Sequence, residues 1–279
     1  MNKKNLKDIK IAIVGVGMVG GAMANYFKKA GRTPFLYDPH KNMGSKGDVN
    51  QADVVFICVP TPFLKDGSGF DLSYVKEACE FLEKGKIVVI KSTVVPGTTE
   101  KLQREYPHLK FLFNPEFLTE ITADQDMNYP DRQILGYTKE SYNVVGHLMR
   151  LLPLAPYEKI MPATEAEMVK YYGNTWFSVK VTFANQMYDL CEKLGIDYDL
   201  VKEAAAADKR IGPSHLEVWH KEYRGYGGKC LPKDTRALIE LADSIGVDMK
   251  LHKMAEEINN RMMDEQGIED PEKFSKREG

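Results

Sequence analysis

A glycine-rich segment around a single cysteine, residues 225–234, carries the residue types best suited to covalent chemistry. Its sequence is GYGGKCLPKD, so glycines precede Cys230, and a proline, a lysine and an aspartate follow it. Glycine lets the backbone adopt positive φ and approach a ligand closely, and Pro232 suits the first turn of a helix. Cys230 is therefore expected at a helix N-terminus beside a lysine, a setting that lowers the pKa of a thiol and favours a thiolate nucleophile. The alternative is a surface loop with a small buried cysteine.

A second segment, near the N-terminus, has the pattern of a dinucleotide site. An apolar run ends at Val14, the sequence GVGMVG of residues 15–20 follows, and a second short apolar run ends in Asp38. In such a pattern the glycines form a tight turn and admit the pyrophosphate to the helix N-terminus, and the acid binds the ribose hydroxyls. Asp38 also favours NAD over NADP, because a carboxylate repels a 2′-phosphate. The alternative is a β–α turn that binds no ligand.

Composition excludes several other classes of protein. The chain has 279 residues, 43% of them hydrophobic, and a net charge of −2, so it can bury a core and shows no sign of nucleic-acid binding. Its four cysteines are scattered without a C-x-x-C pair, and its six histidines form no H-E-x-x-H motif, so neither a metal site nor a disulfide framework is expected. The polar first ten residues resemble no signal segment. A soluble, cytoplasmic protein without a membrane span is therefore expected.

Strand and helix patterns alternate up to about residue 162. Apolar runs at residues 53–59, 87–90, 111–113 and 134–136 predict further strands. Polar residues follow three of these runs, at Thr61, at Thr93, and at Glu116 and Glu120. Ligands of open parallel sheets bind beyond the carboxyl ends of the strands. We therefore predict an α/β fold class, with a Rossmann-like parallel-sheet domain over residues 1–162 that binds NAD.

The remaining residues, 163–279, predict an all-helical domain built on a long central helix. Thr164 and Glu167 fit a capping box, and a helical pattern then continues to Gly195, with Lys170 and Asn174 one turn apart on one face. A solvated Lys–Asn pair is the alternative. Apolar residues lie around much of this helix, which predicts a homodimer with the two long helices packed together. Shorter helices are expected over residues 198–207, 215–221, 232–245 and 250–265, with a charged, frayed tail from 270.

Taken in order, these motifs resemble the UDP-glucose/GDP-mannose dehydrogenase family over nearly the whole chain. The matching segments are the glycine turn with Asp38, VPTP at 59–62, STVVPGTT at 92–99, NPEFL at 114–118, RIG at 210–212, Lys170 with Asn174, and the cysteine segment 225–234. The resemblance implies an NAD-dependent nucleotide-sugar 6-dehydrogenase. Such enzymes oxidise the primary alcohol of a nucleotide sugar such as UDP-glucose to the uronic acid, using two NAD per product.

The resemblance also implies roles for individual residues. Cys230 is similar to the family nucleophile, which forms a thiohemiacetal and then a thioester, and Asp234 with Thr93 resembles the pair that positions the hydrolytic water. Lys170 and Asn174 resemble the groups that stabilise the oxyanions, and Glu116 a base or supporting carboxylate. The cofactor residues implied are Gly15, Gly17, Met18, Val19, Gly20, Asp38, Pro60, Thr61, Thr93 and Glu120. The substrate residues implied are Glu116, Phe117, Leu118, Lys170, Asn174, Arg210, Tyr226, Gly227 and Lys233, with Arg210 reaching a neighbouring subunit.

The family usually carries a third, C-terminal domain that binds much of the nucleotide, and this chain ends after the helices. We therefore expect a more open cleft and weak affinity for the nucleotide half, with basic residues near Lys221 and Arg224 as anion contacts. Two alternatives stay open. A β-hydroxyacid dehydrogenase would transfer one hydride and need no cysteine, and a catalytically silent nucleotide-binding protein would transfer none.

Overall fold

The computed structural model of the chain describes residues 6–64, 69–119, 121–220 and 222–270. The chain divides into two compact units, and the division falls between Lys170 and Tyr171. The first unit contains the sheet, and the second contains most of the long helix and the helices after it.

The first unit is built on a seven-stranded sheet flanked by helices. The strands are β1 (Ile11–Val14), β2 (Phe35–Tyr37), β3 (Val54–Ile57), β6 (Ile87–Ile90), β7 (Lys110–Phe113), β8 (Arg132–Tyr137) and β9 (Tyr157–Pro162), in the spatial order β2-β1-β3-β6-β7-β8-β9. Two further strands, β4 (Phe63–Leu64) and β5 (Gly69–Phe70), form a separate hairpin. The helices are α1 (Met18–Lys29), α2 (Lys46–Val49), α3 (Ser73–Glu80), α4 (Thr98–Glu105), α5 (Ala123–Asn128) and α6 (Tyr142–Met149).

The central strands read as continuous apolar runs because both faces of the sheet are covered. Every residue of β1, β3 and β6 is buried. One apolar cluster includes Phe27 of α1 and the other includes Leu102 of α4. This burial pattern confirms the predicted Rossmann-like fold class.

The far side of the sheet departs from the prediction. β8 pairs antiparallel with β7, whereas every other neighbouring pair in this sheet is parallel. β9 was not predicted at all, because its residues are nearly all exposed at the sheet edge and show no apolar alternation. The sheet is therefore mostly, rather than wholly, parallel.

The long helix α7 (Ala163–Leu194) has 32 residues, and it continues from the first unit into the second. The second unit also contains α8 (Tyr198–Ala206), β10 (Trp219–His220), β11 (Tyr223–Arg224), α9 (Leu231–Ser244) and α10 (Lys250–Glu265). The predicted helices over 198–207, 232–245 and 250–265 are confirmed. No described helix is long and apolar enough to cross a membrane.

Two local predictions in the helical part are wrong. The predicted helix over 215–221 is replaced near its end by the antiparallel hairpin of β10 and β11. His215, at its start, adopts a left-handed φ of 62° that a helical residue does not take. The predicted capping box of Thr164 and Glu167 is also wrong. The helix already begins at Ala163, and the Glu167 carboxylate accepts hydrogen bonds from Gly97 and Thr99 instead.

Candidate active site

The turn between β1 and α1 has the geometry of an anion site. Gly15 has φ of 84°, and a Cβ on Gly20 would lie 2.0 Å from the Gly15 carbonyl oxygen, so only glycine fits this turn. A Cβ on Gly17 would meet no atom within 4 Å, so the space beside the helix start is open. The first-turn N–H groups of a helix, here including Met18 and Val19, have no intrahelical acceptor, and they attract phosphate.

Asp38 directly follows β2 and lies beside this turn. Its Oδ2 accepts a hydrogen bond from the Val16 N–H at 2.9 Å, and the Lys41 ammonium donates to the Val16 carbonyl oxygen at 2.6 Å. A cavity of about 420 Å³ adjoins these residues and is lined largely by apolar and aromatic side chains, including Tyr37, Cys58, Val59, Pro60, Tyr74, Ala78 and Phe81. An apolar cavity with a carboxylate at its rim suits the adenine and ribose of a dinucleotide.

The loops after β3 and β6 are joined by hydrogen bonds. The Thr61 hydroxyl donates to the Thr93 carbonyl oxygen at 2.7 Å, and the Ser92 hydroxyl donates to the Val59 carbonyl oxygen at 2.6 Å. The structure therefore brings Thr61 and Thr93 together at the carboxyl ends of these strands, as the sequence predicted. Glu120, predicted to contact the cofactor, lies outside the described residues.

A buried ion pair lies after β7. The Lys170 ammonium is 2.7 Å from Glu116 Oε1 and donates to the Glu116 carbonyl oxygen at 2.8 Å. Burial raises the pKa of Glu116, but the charge and hydrogen bond of Lys170, with the Leu118 N–H, lower it further, so the net pKa lies below the usual range. Phe117 receives the guanidinium of Arg132 3.9 Å above its ring. Three of the predicted substrate residues, Glu116, Phe117 and Lys170, therefore share one environment.

A second buried lysine was missed by the sequence analysis. Lys91 follows β6 directly, and its ammonium donates to Asn114 Oδ1 at 2.7 Å. Asn114 in turn donates to Gln133 Oε1 at 2.8 Å. Burial lowers the pKa of Lys91 to about 8. The available signal was a lysine placed directly after a fully apolar strand, where a solvated side chain is not expected.

In the second unit, three polar side chains meet at the start of α9. Asn174 of α7 donates from its amide to Asp234 Oδ2 at 2.5 Å, and the Lys233 ammonium lies 2.8 Å from Asp234 Oδ1. Asp234 is fully buried. Cys230 is the N-cap residue of α9 and is exposed, and Pro232 lies in the first turn. The predicted cysteine at a helix N-terminus is therefore confirmed, and Asn174 and Asp234 are in direct contact.

Three other predicted substrate residues also lie in the second unit. The Tyr226 N–H donates to Asn259 Oδ1 at 2.7 Å, and the Tyr226 side chain is buried, which raises its pKa. Gly227 follows it and is half-buried. Arg210 is exposed and pairs with Asp208 at 2.5 Å. Lys221, expected to contact an anion, lies outside the described residues. Among the side chains that the structure describes, no group of three or more His, Cys, Asp and Glu is arranged to hold a metal ion.

A mostly parallel sheet with this glycine turn and with Asp38 at the end of the second strand defines a dinucleotide-binding α/β protein. Residues 40–151 match the NAD binding domain of the UDP-glucose/GDP-mannose dehydrogenase family, and residues 164–261 match its central domain. The chain belongs to this family, and the predicted cofactor is NAD, as that domain requires. The glycine turn precedes the matched range.

Curated relatives and solved structures agree with this assignment. The chain is 35% identical over 222 residues to UDP-glucose 6-dehydrogenase YwqF of Bacillus subtilis and 37% identical over 230 residues to the UDP-glucose 6-dehydrogenase of Pseudomonas aeruginosa, covering 75% of this chain and 49% of each relative. It therefore spans about half the length of these relatives. A UDP-glucose dehydrogenase from Pyrobaculum islandicum has a TM-score of 0.77 at 30% identity, covering 93% of this chain and 71% of that one. UDP-D-ManNAc dehydrogenase from Pyrococcus horikoshii has a TM-score of 0.80 at 25% identity, covering 93% and 70%.

Proposed function

We propose that the protein oxidises the primary alcohol of a nucleotide sugar to the uronic acid, with two hydride transfers to NAD. The observation that carries this proposal is the placement of an exposed cysteine, Cys230, at the start of the helix on which buried Asp234 contacts Asn174. A single-hydride dehydrogenase has no use for such a cysteine. The names of the relatives point to the same substrate class.

Each residue has a defined part in the proposed reaction. Bound at the glycine turn, NAD would supply the hydride acceptor for both oxidations, and a base would take the hydroxyl proton of the alcohol. The Cys230 thiolate adds to the resulting aldehyde, and a second hydride transfer leaves a thioester on its sulfur. Water, positioned by Asp234, then attacks the thioester carbonyl, which releases the acid and restores the thiolate. Asn174 donates a hydrogen bond to the oxygen that becomes negative during these steps.

The first unit contributes cofactor binding and a fixed ammonium. The open turn at Gly17 and the cavity beside Asp38 accommodate the pyrophosphate and the adenosine half of NAD. The Lys170 ammonium, held by two acceptors of Glu116, is a positively charged group of the kind that stabilises an oxyanion. The substrate itself, a UDP-hexose, is proposed from the family resemblance.

Product stoichiometry tests this function directly. Purified protein is incubated with NAD and, in turn, UDP-glucose, GDP-mannose, UDP-N-acetyl sugars and the free sugars, and NADH and acid are quantified. Two NADH per uronic acid is the expected result. One NADH per product from a small hydroxy acid, with no turnover of any sugar nucleotide, would identify a β-hydroxyacid dehydrogenase instead. NAD binding without NADH formation would indicate a silent nucleotide-binding protein.

We also propose a cytoplasmic homodimer that packs through α7. Five large apolar residues of this helix in the second unit are each more than half exposed: Tyr172, Trp176, Phe183, Leu190 and Leu194. At 100° per residue they fall on one narrow stripe of the helix, which suits an isologous interface under two-fold symmetry. Light scattering at micromolar concentration is expected to give the dimer mass, and Trp176→Glu with Phe183→Glu to give the monomer. A monomeric unaltered protein would contradict the assembly.

A further inference from the structure

The first turns of α7 carry a buried carboxylate to which the proposed reaction assigns no role. The Glu167 side chain is fully buried, and it accepts hydrogen bonds at the N-terminus of α4. The Gly97 N–H donates to Oε2 at 2.6 Å, and Thr99 donates to Oε1 from its N–H at 2.8 Å and from its hydroxyl at 2.6 Å. A carboxylate at a helix N-terminus satisfies backbone N–H groups that have no intrahelical partner.

The same turns of α7 pack closely against the sheet. A Cβ on Gly136 of β8 would lie 2.8 Å from Ala163 Cα and 2.8 Å from Ala166 Cβ, and both alanines are fully buried. Small residues thus fix the distance between helix and strand. They leave rotation and sliding along the helix axis unspecified, and the three directed hydrogen bonds to Glu167 restrict both.

Lys170 follows Glu167 by three residues and lies on the same face of α7. Its ammonium reaches two acceptors of Glu116, at 2.7 and 2.8 Å. A sliding or rotation of the helix start by about 1 Å moves the base of the lysine side chain and lengthens both contacts beyond hydrogen-bond distance. The Glu167 contact therefore determines whether Lys170 can hold its present geometry.

We propose that Glu167 is a positioning residue: by docking the start of α7 on the N-terminus of α4, it holds the Lys170 ammonium against Glu116. The same contact also sets the position of Lys170 relative to residues 92–97, the segment that precedes α4 and contains Thr93. The consequence for turnover rests on the proposed function, whereas the consequence for Lys170 geometry does not.

Lysine labelling measures the geometry without any turnover. Acetylation rates at each lysine are followed by mass spectrometry in the unaltered protein and in Glu167→Gln, whose amide nitrogen cannot accept from the facing N–H. Loss of a charge-assisted hydrogen bond is expected to speed acetylation of Lys170 about tenfold. Lys86, whose ammonium donates to the Ala52 carbonyl oxygen at 2.8 Å, provides the internal reference and keeps its rate.

Three further variants separate positioning from general destabilisation. Glu165→Gln makes the same charge change at an exposed position of the same turn and is expected to change nothing. Val144→Ala weakens the apolar core of the first unit elsewhere, and it is expected to leave the ratio of Lys170 to Lys86 labelling unchanged. Thr99→Val removes one of the donors and provides a milder variant if Glu167→Gln does not fold, with an increase in Lys170 labelling of about threefold expected.

Turnover completes the test. Glu167→Gln is expected to lower kcat about tenfold while the KM for NAD stays constant, as for an interaction that acts through a group used in the transition state. If Glu167→Gln and Thr99→Val both label Lys170 at the unaltered rate, the positioning role is wrong whatever the activity. If the unaltered protein turns over no sugar nucleotide, the proposed function is wrong, and the labelling result still decides the role of Glu167.

Discussion

The charged side chains of the first unit and the cysteine segment of the second are held in opposite ways. Lys91, Glu116, Glu167 and Lys170 are all buried, and each has a charged or polar partner within the first unit. Cys230, in contrast, lies exposed at the start of α9. The proposed roles account for this difference: a group that only supplies a fixed charge can be enclosed, whereas the proposed nucleophile must remain accessible to a substrate.

Enclosure has an energetic consequence for the first unit. Removing a charge from water costs several kcal/mol per ion, and attraction within the protein offsets this only when the geometry is good and the other hydrogen-bonding positions are satisfied. Glu116 meets that condition through the Lys170 ammonium and the Leu118 N–H. Removing a charge partner in the first unit is therefore expected to lower the free energy of unfolding. A substitution in the cysteine segment is expected to lower activity instead.

The largest effect on activity is expected from Cys230→Ala. Under the proposed mechanism acid formation should be abolished, because no thiohemiacetal can form, whereas NAD affinity should stay constant, because the predicted cofactor residues lie in the first unit. Cys230→Ser should accumulate an ester, since an alkoxide leaves less readily than a thiolate. Product analysis by mass spectrometry with NAD titration by calorimetry checks both. Full acid production by the alanine variant would exclude the proposed mechanism.

Thiol labelling compares cysteines within one molecule. Burial raises the pKa of Cys58 and of Cys79 to about 12 in the first unit. At pH 8 their thiolate fraction is therefore about a thousandfold below that of an ordinary cysteine, which titrates near 8.5. Iodoacetamide is expected to modify Cys230 first and these two cysteines last, as followed by peptide mass spectrometry. Labelling of Cys58 or Cys79 at the rate of Cys230 would contradict the expected difference between the buried cysteines of the first unit and the exposed cysteine of the second.

Lys170→Met tests the enclosed ion pair. It leaves the Glu116 carboxylate buried without its ammonium, so urea unfolding should show a loss of about 3–5 kcal/mol in the free energy of unfolding. Lys253→Met, which breaks a surface pair with Asp243, should change the free energy of unfolding far less, because solvent screens an exposed ion pair. The double variant Lys170→Met with Glu116→Gln should recover part of the loss. If Lys170→Met and Lys253→Met lost the same free energy of unfolding, burial of the ion pair in the first unit would have no energetic consequence, and the comparison between the units would be wrong.

Local patterns were sufficient for the elements whose signals lie within a few residues. The glycine turn with Asp38 and the start of α9, where Pro232 lies in the first turn, depend on backbone requirements that can be recognised from the residue types alone. β9 and the hairpin of β10 and β11 depend on pairing with distant or irregular neighbours, and neither has an extended apolar run. These strands were not predicted because the sequence carries no local signal for them.

The candidate site divides in the same way. The sequence named Glu116, Lys170, Asn174 and Asp234, but it could not show which of them pair. Glu167 was misassigned as a capping-box residue of its own helix, because a glutamate in a first turn is normally solvated, and only the fold shows that α4 faces it. The catalytic and binding roles of the site residues stay predictions.

Glu167 also predicts how stability depends on pH. Burial raises its pKa from the ordinary 4.5 to about 7, while the donors at Gly97 and Thr99 lower it and Glu100 of α4 raises it. The folded state therefore binds more protons between these values, so this contribution to stability is fully present below pH 4.5 and is lost as the pH rises through 7. At about 1.4 kcal/mol per pKa unit, the loss is on the order of 3 kcal/mol. Urea unfolding from pH 5 to 8 should show this slope, and Glu167→Gln should remove most of it while Glu100→Gln retains it.

The smallest expected effect concerns Asp38, an enclosed carboxylate of the first unit whose proposed role nevertheless requires contact with a ligand. Its Oδ2 accepts from the Val16 N–H and its Oδ1 from the His40 N–H, so alanine removes both the charge and the support of the glycine turn. Asp38→Asn removes the charge but keeps one acceptor oxygen, so one of the two N–H contacts is retained. NAD binding should weaken about tenfold in Asp38→Ala, the effect of one lost hydrogen bond to a charged group. In both variants the preference for NAD over NADP should narrow, because the like-charge contact with the 2′-phosphate is gone. Calorimetry with both cofactors measures this, and tighter binding of NADP than NAD by the unaltered protein would refute the assignment.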